Sequence, residues 1–351
     1  MKIALISLYL PSGSKGGVGY QAHYMANALV CAGHAVTVFT PCDHSRGALY
    51  STVTVDVGSS MRTFRFAWEL RKIDFSQFDV VHAHGDDYWL WNCGRPHIRT
   101  MHGSCFAEAL HIGPIREKIR MAALGISEVL ATIVADRTIC VSRNTLRYFP
   151  WLDQVVLNGV DLEAFYPAAA KDEAPTLLFV GTYHNRKRGK MLMDVFSRVI
   201  RPELPTARLW MVCDDAPNAP GVTVFGSIPL DQLAELYRRA WVFCLPSTYE
   251  GFGVPYIEAM ASGTAVVATP NVGAREVLCN GEYGILAEDS DLSVALLNIL
   301  KVSSERIRYE ELGLKRAQDF KWPRIIRDYE RVYGELISIK QASEQAQVAT
   351  T

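Results

Sequence analysis

The chain has 351 residues, 49% hydrophobic and 21% charged: the composition of an ordinary globular protein, and more length than one hydrophobic core usually organises. Its formal net charge of -1 offers no general attraction to polyanions, which argues against a nucleic-acid partner. Eight scattered cysteines with no C-x-x-C pair exclude a zinc or redox motif and read as reduced core thiols of a cytoplasmic protein.

The opening run MKIALISLYLP is too short to span a membrane and lacks the flanks of a signal peptide, so a first buried strand is expected there. In chain order the expected strands are KIALISL (2–8), AVTVFT (35–40), DVVHAH (79–84), HIRTMHG (97–103), RTICVS (137–142) and QVVLN (154–158). The scheme then repeats with PTLLFVG (175–181), RLWMVC (208–213), VTVFG (222–226), WVFCLP (241–246), TAVVAT (264–269) and GILAE (284–288). Short apolar runs alternating with helical patterns predict parallel sheets covered by helices on both faces. A linker is expected at about 164–175, where proline and alanine rise, and a polar tail after Lys340. The expected domains are 1–167, joined by a helix at about 322–340, and 168–321, with 341–351 as a flexible tail. Ligands of such sheets bind at the carboxyl ends of the strands, so two facing sheets would enclose a cleft.

Four segments could line it. After the first strand, PSGSKGGVGYQAHYMANALVCAGH places Gly16, Gly17 and Gly19 where backbone could approach an anion, although a plain turn explains them as readily. In HAHGDDYW, His82 and His84 share a strand face but spacing offers no third metal ligand, so a structural role is favoured. His102 ends a strand directly before Gly103 and reads as functional. In GTYHNRKRGK, Arg186, Lys187, Arg188 and Lys190 surround Gly189 at a strand end, a place for a diphosphate rather than a merely solvated charge run.

The most informative segment is STYEGFGVPYIEAMASG. Glu250 and Glu258 stand eight positions apart where a strand stops and a helix begins. Two carboxylates beside a glycine turn can accept hydrogen bonds from vicinal hydroxyls, and the intervening amides can reach a phosphate or sugar oxygen, which suits a nucleotide sugar. Pro255 fits a first helical position and Gly263 the cap beyond the helix.

On GGVG, DVVHAH, HGS, ADRTICVS, VVLNGVDLEAFYP, FVG with RKRG, the E-x(7)-E segment EGFGVPYIE, and AMASGTAVVATPNVGAREVL, nearly the whole chain resembles a retaining GT-B glycosyltransferase of the family 4 type. The resemblance implies an α/β fold of two Rossmann-like doubly wound domains facing an inter-domain cleft, with a final helix from about Trp322 crossing back to the first domain. It implies that Glu258 binds the donor ribose, that Glu250 approaches the transferred sugar, and that backbone amides of Phe252, Gly253, Val254 and Gly17 hold sugar hydroxyls or the diphosphate. Arg188 matches the phosphate-binding position, His102 the histidine facing the donor sugar, and Gly226 to Ile228 the segment receiving the base. Where the family commonly has arginine after the FVG glycine, this chain has Thr182, so either Arg186 or Lys187 substitutes for that charge or diphosphate binding rests more heavily on Arg188.

The chemistry implied by the resemblance is transfer from a nucleotide-diphosphate sugar, UDP- or GDP-linked by family frequency, without metal or other cofactor and with retention by front-face attack. Glu250 then positions the sugar and supports charge rather than acting as nucleophile. The acceptor stays open among a saccharide, a lipid-linked sugar and a small molecule, met by loops near Ser12 to Tyr20 and Ser104 to Pro114. Peripheral membrane association through IREKIRMAALGI (115–126) stays open beside an ordinary amphipathic core helix. An epimerase or phosphorylase on the same fold and a non-catalytic nucleotide-sugar binder are the competing functions.

Overall fold

The computed structural model describes residues 1–12, 17–59, 61–111 and 115–350; Gly16 of the glycine-rich loop and residues 112–114 of the expected acceptor loop lie outside them. The chain divides into two compact units. One comprises Met1–Ala109, Ile119–Gly159 and Trp322–Thr351, the other Leu110–Lys118 and Val160–Lys321.

The first unit is built on β1 (Lys2–Ile6), β2 (Ala35–Thr40), β3 (Ser51–Thr54), β4 (Val80–Ala83), β5 (His97–Met101), β6 (Arg137–Cys140) and β7 (Gln154–Val155). They form one parallel sheet in the order β3-β2-β1-β4-β5-β6-β7. Strand β1 shows why its residues read as a continuous apolar run. Ile3 and Leu5 enter the core on one face while Ala4 and Ile6 enter the core on the other, so both faces are covered. The first face is closed by Ala22, Met25, Ala26 and Leu29 of helix Gly17–Cys31 and by Trp322, Ile325, Ile326, Tyr329, Val332, Tyr333 and Leu336 of helix Trp322–Thr350. That three-and-four spacing puts one apolar stripe against the sheet.

The structure departs from expectation in three places. Strand β3 was not expected, because it is an edge strand with little burial and its Ser-Thr-Val-Thr sequence carries no apolar alternation. The polar stretch after Lys340 continues the helix to Thr350 instead of fraying, since it contains helix formers and neither glycine nor proline. The stretch expected as linker from about 164 belongs to the second unit, which begins at Val160. Phe165 is buried edge-on to Tyr237, with ring centroids 5.7 Å apart, and Arg238 lies over the Tyr166 ring.

The second unit holds β8 (Thr176–Val180), β9 (Arg208–Val212), β10 (Val222–Phe225), β11 (Val242–Leu245), β12 (Ala265–Ala268) and β13 (Ile285–Leu286). These also run parallel, in the order β10-β9-β8-β11-β12-β13. Because every strand points the same way, the loops after β8, β10, β11 and β13 emerge on a single rim. The winding reverses between β8 and β11, the place where such sheets open a crevice for ligands.

Among the described residues no helix is long and apolar enough to cross a membrane. Helix Ile115–Val134 nevertheless exposes Ile119 (65%), Ile126 (61%), Leu130 (41%) and Ile133 (64%) at three-, four- and seven-residue spacing, so a stripe of it faces solvent. The ordinary amphipathic core helix would have buried that stripe.

Candidate functional site

The β8 and β11 loops meet at the reversal point of the second sheet. After β8 the chain runs through Gly181 to Arg188 and turns into helix Gly189–Val195, with Arg188 in the left-handed region at φ 55°. After β11, Ser247 to Gly253 lead into helix Val254–Ala261. The two loops are tied by backbone. The Thr248 N–H donates to the Arg186 carbonyl at 2.9 Å, and the Ser247 hydroxyl reaches the same oxygen at 3.1 Å.

This tie brings the predicted acids and cations together. Glu250 is 5% exposed, and its Oε1 lies 2.6 Å from Lys187 Nζ and 3.5 Å from Arg186 Nη1. Arg186 also donates to the Tyr249 carbonyl at 2.9 Å. Burial lowers the Lys187 ammonium pKa, and Glu250 acts against that shift, as does Glu258 more weakly. Lys187 is therefore the cation that the two glutamates share. Burial pushes the Glu258 carboxyl up to about 7, opposed by the Tyr237 hydroxyl, which donates to Oε2 at 3.1 Å, and by Lys187.

Arg188 is turned otherwise. Its Nη1 and Nη2 grip both oxygens of Asp289, beyond β13, at 2.6 and 2.9 Å, and its Nε donates to the Pro246 carbonyl. A phosphate reaching Arg188 would compete with an exposed carboxylate for a fork-shaped donor.

The turn after Glu250 is shaped for close approach. Gly253 adopts φ 103°, and a Cβ there would meet the Tyr256 ring at 2.4 Å. Gly273, in helix Val272–Val277, lies against the same turn; its Cβ would fall 2.8 Å from both the Cβ and the carbonyl oxygen of Glu250. Asn271 caps that helix by accepting from Ala274 N–H, and its amide donates to the carbonyls of Ser247 and Thr269 and to the Tyr256 hydroxyl. Phe252 is buried edge-on to Phe320, so only its backbone can face a ligand. Val254 starts the helix after Gly253, while Gly226 and half-buried Ile228 follow edge strand β10 on the same rim.

Gly17 and His102 belong to the first unit. Gly17 opens helix Gly17–Cys31. His102 follows β5 and is the outermost of three imidazoles: His82 and His84 have centroids 4.9 Å apart, and His84 meets His102 edge to edge, with centroids 5.1 Å apart and its Nδ1 2.8 Å from His102 Nε2. His82 is held by Tyr333 Oη at Nδ1 and Thr100 Oγ1 at Nε2, both 2.7 Å away, so it is a structural residue. Burial lowers His82 to about 3 and His102 to about 4, and takes His84 well below its ordinary value, leaving all three neutral at physiological pH. Asp87 is spent on Arg99 and His97 within the fold.

Tyr237, Asp289, Asn271, Gly273 and His84 support these groups and went unassigned as partners in the sequence. Asn271 alone carried a local signal, an Asn before a helix. The others act across strands, and spacing does not report such contacts.

Two family models match the chain in tandem: Glycosyltransferase Family 4 over residues 15–164, and Glycosyl transferases group 1 over residues 174–302. The phosphatidyl-myo-inositol mannosyltransferase of Mycobacterium tuberculosis is 33% identical over 212 residues, covering 53% of this chain. The match spans 56% of that relative's own length. Among solved structures, sucrose-phosphate synthase from Thermosynechococcus elongatus superposes with a TM-score of 0.78 at 22% identity, over 96% of this chain and 99% of that one. Anabaena HepE in complex with UDP-glucose superposes with a TM-score of 0.75 at 16% identity, over 95% and 100%. These likenesses make the fold GT-B, two Rossmann-like units in one chain. With both halves matched in order, the chain belongs to the family 4, group 1 glycosyltransferases.

Proposed function

We propose that this chain is a retaining glycosyltransferase that moves a sugar from a nucleotide-diphosphate sugar to an acceptor hydroxyl. The observation that carries the reading is the Glu250–Lys187–Glu258 arrangement at the β8/β11 reversal. Glu250 is paired with Lys187, Glu258 lies within the electrostatic reach of the same ammonium, and Arg186 and Arg188 stand on the same loop.

In this reading Glu258 accepts hydrogen bonds from the ribose, Glu250 holds the transferred sugar, and amides of Phe252, Gly253 and Val254 face its oxygens. Gly226 and Ile228 receive the base, and Gly17 and His102 serve from the first unit. As the glycosidic bond breaks, negative charge grows on the leaving diphosphate. Preorganised cations and N–H dipoles lower that barrier without reorganising. Arg186, Lys187 and Arg188 supply this role through protein charge, which is why the reaction is assigned no metal or other cofactor. With Glu250 held by Lys187 and Arg186, its part is positioning and charge support; front-face attack, in which a departing phosphate oxygen takes the acceptor proton, gives retention.

UDP and GDP donors are favoured; HepE is described with UDP-glucose and the mycobacterial relative is named a mannosyltransferase. A saccharide, lipid-linked sugar or small molecule is the acceptor class, and a cytoplasmic setting agrees with eight free cysteines. The exposed stripe on helix Ile115–Val134, with Arg116, Lys118 and Arg120 at its start, supports peripheral association with an anionic membrane. Cosedimentation with phosphatidylglycerol vesicles that survives Ile126→Ser/Ile133→Ser would refute that part.

The central test is a thermal-shift panel of UDP-, GDP-, ADP- and dTDP-sugars. Bound donor at about 100 times its Kd adds about 2.7 kcal/mol of stability. One nucleotide class should raise Tm, and Glu258→Ala should cut the rise to about half or less at the same donor concentration; no response to any of the four would sink the proposal.

A further inference from the structure

Along this row of three imidazoles in the first unit, burial changes step by step. His82 is fully buried, His84 is 6% exposed, and His102 is the most exposed of the three. The inner ring is fixed at both nitrogens, and Thr100, which holds one of them, is itself bonded to Tyr329 Oη at 3.0 Å. His84 lies on that fixed ring at 28° between planes and bonds outward, its Nδ1 standing 2.8 Å from His102 Nε2. Its other nitrogen, Nε2, is buried with no hydrogen-bond partner.

A hydrogen bond between two neutral imidazoles needs one proton between the two facing nitrogens, which leaves two arrangements. If His102 Nε2 carries the proton, His84 must carry its own on Nε2, and a buried N–H is stranded without an acceptor. If His84 Nδ1 carries it, His84 Nε2 is only an unused lone pair. A stranded donor is the rarer and costlier fault, so the second arrangement holds. His102, accepting at Nε2, then bears its proton on Nδ1.

We propose that His84 is a positioning residue that locks His102 into the Nδ1–H tautomer, so that the ring edge away from His84 offers substrate a hydrogen-bond donor rather than a lone pair. This rests on the assignment of His102 to the donor sugar. A donor at that edge suits a substrate oxygen that gains negative charge during transfer, and an imidazole of the opposite tautomer would repel it.

The test uses the full chain labelled with 15N-histidine, with His102 signals identified by their loss in His102→Ala. Long-range 1H–15N correlation should show a protonated-type Nδ1 and an unprotonated-type Nε2 for His102; the reverse pattern overturns the inference, whatever the kinetics. In transfer assays His84→Ala should lower kcat about 10-fold or more with donor KM little changed, a loss confined to the transition state. His84→Asn, whose amide nitrogen can stand near the lost Nδ1–H, should recover most of that rate. Should His102→Ala be impaired while His84→Ala is not, the positioning role fails and the assignment of His102 stands. Full activity of His102→Ala removes that assignment itself. If His84→Ala does not fold, the tautomer measured in the unaltered chain decides.

Discussion

Glu258 offers a test in which pH, stability and binding must agree. Its carboxyl titrates at about 7 in the fold against an ordinary 4.5, chiefly through burial. Between those values the folded chain binds more protons than the unfolded one, so its stability falls as pH rises from 4.5 to 7. At 1.36 kcal/mol per unit the penalty, fully present above about pH 7 and absent below 4.5, reaches about 3 kcal/mol. Glu258→Gln removes it. The variant should match the unaltered chain near pH 4.5 and be more stable by about 1 to 3 kcal/mol at pH 8, since the carboxyl still touches solvent. Donor binding runs the other way. Ribose hydroxyls donate to a carboxylate, so binding should release about half a proton at pH 7, and affinity should fall about tenfold per unit below it. Glu258→Gln should bind donor about 10- to 100-fold more weakly at pH 8, the worth of one charged hydrogen bond. Denaturant melts at pH 4.5 and 8, with calorimetry in two buffers of different ionisation enthalpy, measure both arms. A stability difference that does not move with pH, together with no proton release, would refute the protonation argument.

Other expected outcomes address the remaining groups. Glu250→Ala should lower turnover about 100-fold or more, because its contact with the sugar strengthens as charge develops; wild-type turnover in a transfer or donor-hydrolysis assay would remove it from the site. Arg188→Ala should weaken donor binding about 10- to 100-fold by calorimetry, whereas Asp289→Asn, which releases the guanidinium, should tighten it by a few-fold at most, as expected for an exposed pair. Unchanged affinity in Arg188→Ala would transfer the phosphate contact to Arg186 or Lys187. Gly273→Ala forces a methyl against Glu250 and should cost about 1 to 3 kcal/mol in a melt with a larger proportional loss of kcat; normal turnover would show that the turn tolerates displacement.

Much of this architecture was legible because both sheets are parallel. Strands buried on two faces, such as Lys2–Ile6 and Val242–Leu245, must be continuously apolar, and such runs stand out. The edge strand Ser51–Thr54 has no such obligation and stayed hidden. In the candidate site, Glu250 and Glu258 were legible through their fixed spacing around a glycine turn. Lys187 as their shared counter-charge was not, since nothing within GTYHNRKRGK distinguishes it from its neighbours. The bonds that tie the two loops, from Thr248 N–H and the Ser247 hydroxyl to the Arg186 carbonyl, form between segments at least 61 residues apart, and spacing within GTYHNRKRGK does not report them. The division at Val160 was misplaced for a similar reason: alanines and prolines near 167 suggested a free connector, while Phe165 was already committed to Tyr237.

Helix Trp322–Thr350 has a bearing on how the molecule is made. Seven of its apolar side chains complete a face that strands within the first 156 residues begin. During vectorial synthesis those strands must wait, with Ile3, Leu5, Val38 and Val80 partly uncovered, until the ribosome has produced the whole intervening unit. The early segment therefore keeps apolar surface uncovered throughout that interval, and a nascent chain halted before Trp322 would carry a complete second unit attached to an incomplete first.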